Sequence, residues 1–300
     1  MAHVPVLLHE VVEILGPKPG AFIIDGTVGG GGHARALIKR LEPGGSLLGV
    51  DRDAVAVNNL QSLAAEFPAM RKVIIRRANY SQLPELLKEL DMPGADGLLL
   101  DLGISSEQLD GDREGFAGRG FSFRRDEELD MRFDTTAQPV HEVLRELSAE
   151  HLADIIKEYG EERYAKEIAI ALKSAGIIAP IMTTGRLAQV ISAAVPKGYE
   201  HGRIHPATRT FQALRIYANG ELEHLKRTLA DLSRIVAVGG RVAIISFHSL
   251  EDRIVKDFFK KLEKEGKGKV LTKKPIVANG QELFNNPRSR SAKLRVLELL

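Results

Sequence analysis

The chain of 300 residues predicts an α/β fold, a doubly wound parallel sheet interrupted by an inserted, mostly helical domain. Three observations carry this. Short β-branched or leucine-rich runs alternate with helical patterns from Ala21 to Asp101; the runs are continuously apolar, as strands covered on both faces must be; and about 138 residues without a convincing strand follow.

Strands are read at 21–25, 46–51, 72–76 and 97–101, with helices between them at 33–41, 54–67 and 81–90. The insertion spans 111–202, where leucine, isoleucine and alanine recur at three- and four-residue spacing over 140–147, 149–159, 162–175 and 186–195. The sheet domain is therefore discontinuous, 1–110 and 203–300. Pro206 suits the first position of a return helix over 207–218, which Asn219-Gly220 would end before a helix at 221–236. A fifth strand follows at 240–247. Ser249 and Asp252 have capping-box spacing for a helix to about residue 265, and two last runs, 269–277 and 293–300, pair as edge strands.

Composition supports a soluble globular chain with a substantial core, at 44% hydrophobic and 27% charged residues. Its apolar runs fall far short of the roughly 20 residues of a membrane helix, and residues 1–16 do not read as a signal peptide, so the expected location is the cytoplasm. There is no cysteine, which removes disulfides, thiolate metal sites and cysteine nucleophiles. No histidine pair has metalloprotease spacing, and no metal is expected. The net charge of +2 hides an asymmetry: residues 253–300 carry 13 basic and 5 acidic residues, net +8, leaving −6 for the rest. Such a basic end suits a polyanionic partner or a solvated tail equally.

The first strand runs into Asp25-Gly26-Thr27-Val28-Gly29-Gly30-Gly31-Gly32-His33, and glycine belongs where backbone turns sharply against a ligand. Gly29, Gly31 and Ala34 fit G-x-G-x-x-A, and Asp51 ends the second strand about 20 residues on, where a carboxylate can accept both ribose hydroxyls. A dinucleotide and S-adenosylmethionine both fit this outline. The register favours the second, because the Asp25 carboxylate would repel a pyrophosphate but attract a sulfonium or an ammonium group. Tyr80, just past the third strand, is a candidate for stacking on adenine.

The fourth strand ends in Asp101-Leu102-Gly103-Ile104-Ser105-Ser106, at the edge where open α/β sheets hold ligands. Asp101 there could align an exocyclic amine for methylation, or cap a loop. Methylation at C5 of a pyrimidine proceeds by thiolate attack on C6, so the lack of cysteine excludes it. Arg113, Arg119, Phe121, Phe123, Arg124, Arg125 and Arg132 interleave cations with rings, which suits RNA contact or a salt-bridged hinge. Thr208, Gln212 and Arg215 share one helical face, for substrate or for packing. His248 follows the fifth strand and either touches substrate or satisfies a helix cap.

Together, His3-Val4-Pro5-Val6-Leu7-Leu8, Asp25-Gly26-Thr27, Gly31-Gly32-His33, Asp51-Arg52-Asp53, the Asp101–Ser106 run, Gly120-Phe121-Ser122-Phe123-Arg124, the run from His205 to Gln212 and the run from Ser246 to Arg253 resemble the RsmH (formerly MraW) family. The resemblance covers nearly the whole chain. It implies a class I methyltransferase, Rossmann-like sheet with a helical substrate-recognition insertion. It also implies transfer of methyl from S-adenosyl-L-methionine to N4 of a cytidine in 16S rRNA near the decoding centre, within the small ribosomal subunit, with no DNA or membrane partner. Cofactor contacts then fall on Gly31, Gly32, His33, Asp51, Tyr80, Asp101 and Gln108, and catalysis on Asp101. Substrate contacts are expected from Ser105, Ser106, Arg124, His248, Arg288 and Arg290. A nicotinamide dehydrogenase and a non-catalytic RNA-binding protein are the rival readings of the same outline.

Overall fold

A computed structural model describes residues 5–104 and 119–300. It divides into two compact units, 1–105 with 222–300 and 106–221. Among the described residues no helix is long and apolar enough to cross a membrane.

The first unit contains β1 (Phe22–Asp25), β2 (Ser46–Asp51), β3 (Lys72–Arg77), β4 (Ala95–Asp101), β5 (Val236–Ser246), β6 (Gly268–Val270) and β7 (Lys293–Leu299). They form one sheet in the order β3-β2-β1-β4-β5-β7-β6. β3, β2, β1, β4 and β5 are parallel, and β7 runs antiparallel to both β5 and β6. This is the class I methyltransferase arrangement. The last two strands were expected at an edge, yet β7 lies inside the sheet with Leu294, Val296 and Leu297 buried, and only β6 is the edge. β6 also stops at Val270, with a lone bridge from Ile276 to Leu294 beyond it.

Successive strand residues enter opposite cores, which is why the strand sequences do not alternate in polarity. Ile24, Leu98, Leu100, Val242 and Ile244 face one cluster, and Ile23, Leu99, Ala243 and Ile245 the other. Helices cover both faces. On the second are α1 (Leu8–Leu15), α2 (Gly32–Leu41), α3 (Ala54–Asn59) and α4 (Leu63–Glu66). On the first are α5 (Leu83–Glu89) and, past the insertion, three later helices that supply Leu225, Leu232 and Val255. The helix expected over 54–67 is broken in two, and α1 was not anticipated.

The second unit holds α6 (Val140–Glu146), α7 (Ala149–Gly160), α8 (Ala165–Ile178), α9 (Thr184–Ala194) and α10 (Ala207–Asn219). The return helix α10 belongs to this unit and not to the sheet domain, so the boundary lies beyond the expected 202/203. Its side chains explain why: Gln212 donates to the Tyr159 carbonyl at 3.0 Å, and Asn219 donates to the Met131 carbonyl at 2.8 Å and accepts from the Phe133 amide at 2.9 Å. Pro206 is the residue before the first turn, one position earlier than expected, and Gly220 ends the helix at φ 59.

The chain re-enters the sheet through α11 (Glu221–Ala230), α12 (Leu232–Ile235), β5 and α13 (Ser249–Lys264), with α14 (Gly280–Asn285) before β7. The cap of α13 differs from expectation. His248 is the N-cap and Glu251 completes the box, because Asp252 is drawn away to Arg295, whose guanidinium meets it at 2.6 and 3.2 Å.

Candidate active site at the carboxyl edge of the sheet

Parallel strands deliver their carboxyl ends to one edge, and Asp25, Asp51 and Asp101 are the last residues of β1, β2 and β4. Registry brings them together: Asp25 lies opposite Gly49 of β2 and Leu99 of β4, two residues short of Asp51 and Asp101. Asp25 is 1% exposed. One of its oxygens accepts from the Thr27 amide at 3.2 Å while Oδ2 has no hydrogen-bond partner.

The glycine loop leaves β1 and enters α2 at Gly31, whose φ of +77 is a left-handed conformation that side chains resist. A Cβ there would stand 2.7 Å from Arg35 and from Leu60. At Gly32 a Cβ would fall 2.3 Å from Pro5 Cγ, because the chain before α1 crosses over the loop. Val6 of that crossing segment offers its carbonyl to His33 Nε2 at 2.9 Å, and the Leu7 amide donates to Glu282 at 2.7 Å.

Asp51 ties the loop down. Its oxygens accept from the Gly29 and Asp53 amides, each at 2.9 Å. Asp101 is held through its own amide, which donates to Thr27 Oγ1 at 2.7 Å. Its Oδ1 is buried without a hydrogen bond, and Oδ2 lies 3.6 Å from His33 Nδ1. Tyr80 opens a short 3-10 turn, with its Cβ 3.3 Å from where a Cβ on Gly26 would be.

This edge gathers three carboxyl groups whose ionisation is disfavoured by burial. Burial pushes the Asp25 carboxyl up to about 7, with Asp51 adding to the rise. Burial likewise lifts Asp51 to about 6 against the amides that stabilise its charge. Asp101 is raised well above the usual carboxylate range, first by burial and then by the charges of Asp25 and Glu251. Buried carboxylates with orphaned oxygens repel a pyrophosphate and attract a cation. The donor set therefore fits S-adenosylmethionine, whose sulfonium and ammonium groups are positive, and argues against a dinucleotide.

Gly31, Gly32, His33, Asp51, Tyr80 and Asp101 are all in this unit near the edge, as the sequence led one to expect. Gln108, Ser105 and Ser106 lie outside the described residues. His248 caps α13, accepting from the Glu251 amide at 3.4 Å through Nδ1. Its Nε2 stands 3.1 Å from Glu251 Oε1 but outside hydrogen-bonding geometry. Arg288 and Arg290 sit on the 3-10 turn Pro287–Ser291, with Arg290 exposed. Sequence reasoning overlooked Glu251, 3% exposed and accepting from the Phe247 amide at 2.9 Å. The signal was present, since Glu251 stands beside His248 in a run of polar residues following an apolar strand.

Within the second unit Arg124 is exposed, its amide donating to Ser122 Oγ at 3.2 Å. Arg119 and Arg132 serve the fold, the first donating to the Arg132 and Phe133 carbonyls and the second gripping Asp130 at 2.6 Å. Arg215 is paired with Glu221 at 2.8 and 2.9 Å and, like Gln212, is engaged in packing, while Thr208 on the same helical face is exposed. Phe123 stacks on His205 at 4.5 Å and meets Phe211 edge-on at 5.0 Å.

The family model described as the MraW methylase family matches residues 1–300. A ribosomal RNA small subunit methyltransferase H from Syntrophotalea carbinolica is 45% identical over 99% of this chain and 98% of its own. The protein of the same name from Geotalea daltonii is 46% identical, covering 99% and 98%. A solved rRNA methylase from Streptococcus thermophilus aligns with a TM-score of 0.44 at 10% identity, over 100% of this chain and 99% of that one. With a family match over the whole length and relatives at 45 and 46% identity, the chain belongs to the MraW methylase family and is an S-adenosylmethionine-dependent methyltransferase.

Proposed function

We propose that the protein methylates N4 of a cytidine in 16S rRNA of the small ribosomal subunit, by direct in-line transfer in the cytoplasm. The name carried by the relatives, small subunit rRNA methyltransferase, supports the substrate class. The observation that carries the chemistry is Asp101: a half-buried carboxylate at the strand edge whose Oδ1 is itself buried and unpartnered.

S-adenosylmethionine supplies an electrophilic methyl on a positive sulfur. Asp25 and Asp101 favour that charge at the edge, Asp51 accepts from the ribose, and Tyr80 stacks on adenine. An exocyclic amine is a poor nucleophile because its lone pair is delocalised into the ring. A hydrogen bond from the amine to Asp101 Oδ1 draws the nitrogen towards tetrahedral geometry and holds it in line. The bound cofactor would supply the methyl to the amine nitrogen, which would become acidic on methylation, and the raised basicity of Asp101 suits it to receive the proton. No thiolate is available for the C5 route.

Gln108 completes the cofactor site in this reading, and Ser105, Ser106, Arg124, His248, Arg288 and Arg290 contact the RNA. The insertion recognises substrate. Mass spectrometry of rRNA nucleosides from a deletion strain tests the whole: N4-methylation at one cytidine should vanish and return with the wild-type chain but not with Asp101→Ala. Unaltered nucleosides in the deletion strain would overturn the reading.

A further inference from the structure

We propose that the outward face of α13, continued by the lysines of β6 and the loop after it, is a track for the phosphate backbone of the RNA substrate. The proposal rests on the rRNA reading above. α13 turns Glu251, Val255 and Phe259 inward. At about 100° per residue the opposite arc carries Arg253, Lys256, Lys260 and Lys264, spaced three, four and four apart. This stripe is about 16 Å long at the helical rise. It begins at Arg253, two residues past Glu251, on the helix that starts four residues after Ile245, the β5 partner of Asp101, so this end of the stripe lies towards the carboxyl edge of the sheet. Past the helix the exposed Lys267, Lys269, Lys273 and Lys274 extend it.

One carboxylate pairs with a member of this stripe, and two others nearby are held elsewhere. Asp257 pairs with Lys256 at 3.4 Å, Glu263 accepts the Val270 amide at 3.0 Å, and Glu265 is shared by Lys261 and Lys267 at 3.9 and 2.8 Å. Among the described residues Lys260, Lys264, Lys269, Lys273 and Lys274 have no ion-pair partner. Lys256, Lys260 and Lys264 are also like charges four residues apart, which repel along a helix. A face needed only for solubility interleaves its signs. A polyanion removes the repulsion and gains further by releasing its own counterions. A bilayer fits less well, because Ile254, Phe258 and Leu262 all pack against the core and leave the stripe nothing apolar to insert.

The test compares the wild type with the triple variant Lys260→Gln, Lys264→Gln, Lys269→Gln on a transcribed small-subunit rRNA over about 50 to 200 mM salt. The slope of log affinity against log salt should fall by about 2, with KM for RNA raised, kcat at saturating RNA unchanged and the melting temperature equal or higher. A triple Lys→Arg variant should keep the slope. An unchanged slope in the glutamine variant, with methylation intact, overturns the track and leaves the methyltransferase reading standing. Loss of phosphatidylserine-vesicle binding with RNA binding unaltered would overturn it in favour of a membrane. Failure of the wild type to methylate the rRNA overturns the underlying reading instead.

Discussion

His33 Nδ1 faces Asp101 Oδ2 at 3.6 Å while its other ring nitrogen lies 2.9 Å from the Val6 carbonyl. A carbonyl only accepts, so Nε2 carries a proton and a neutral ring turns its lone pair towards the carboxylate. The Val6 carbonyl thus fixes which ring nitrogen of His33 faces Asp101.

Asp101→Ala should leave the circular dichroism spectrum unchanged and lower methyl transfer by about 10²- to 10³-fold, the scale of losing one aligned electrostatic partner. Transfer of labelled methyl to rRNA measures it. Near-normal turnover would remove Asp101 from the mechanism.

Affinity for S-adenosylmethionine should rise with pH through about 6 to 7, the range set by Asp51 at about 6 and Asp25 at about 7. A cationic ligand favours the ionised carboxylates, so binding at pH about 6 releases protons. Calorimetry in buffers of different ionisation enthalpy reads the proton count, and a pH-independent affinity would contradict the assignment.

Stability without cofactor should run the other way. The folded pKa of Asp25 is raised, so its contribution is fully present below about 4 and lost as pH rises through about 7. Asp25→Asn should therefore raise the melting temperature at pH 8 more than at pH 5, while weakening cofactor binding. An equal shift at both values would show that the carboxylate is not destabilised by the fold.

Gly31→Ala should cost about 1 to 2 kcal/mol and weaken cofactor binding, since φ +77 and contacts at 2.7 Å both oppose a Cβ. Gly176→Ala, in the last turn of α8 with nothing within 4 Å, should stabilise by about 0.5 kcal/mol. Denaturant titration of the two variants gives the contrast directly, and a loss at Gly176 would contradict it.

Neutralising Arg288 and Arg290 to glutamine should flatten the salt dependence of RNA binding by about 1 to 2 in slope. An unchanged slope assigns them to the fold of the 3-10 turn.

The sheet was legible because β1, β2 and β4 are short, apolar and punctuated by glycine and aspartate, and β3 carries the β-branched run Val73-Ile74-Ile75. The carboxylates at their tips were legible for the same reason: Asp25, Asp51 and Asp101 each interrupt an apolar run. What sequence could not give was set by distant partners. Asp252 looks like a capping residue until Arg295, 43 positions away, claims it, and the box then closes through His248 and Glu251. Likewise β7 reads as an edge strand until its pairing on both sides is seen. The arginines near Phe121 show the converse: their spacing suggests a nucleic-acid grip, while Arg119 and Arg132 are spent on local carbonyls and Asp130.

The pairing of Asp101 with Ile245 joins β4 to a strand that the ribosome synthesises only after the whole second unit. Until then β4 has one bare side, and its apolar faces stay incompletely covered. Chain-closure entropy grows slowly with separation, and a helical unit rich in local contacts shortens the effective gap by folding first. The nascent chain thus completes its smaller half before its larger one, and slow maturation should concentrate at the β4–β5 seam.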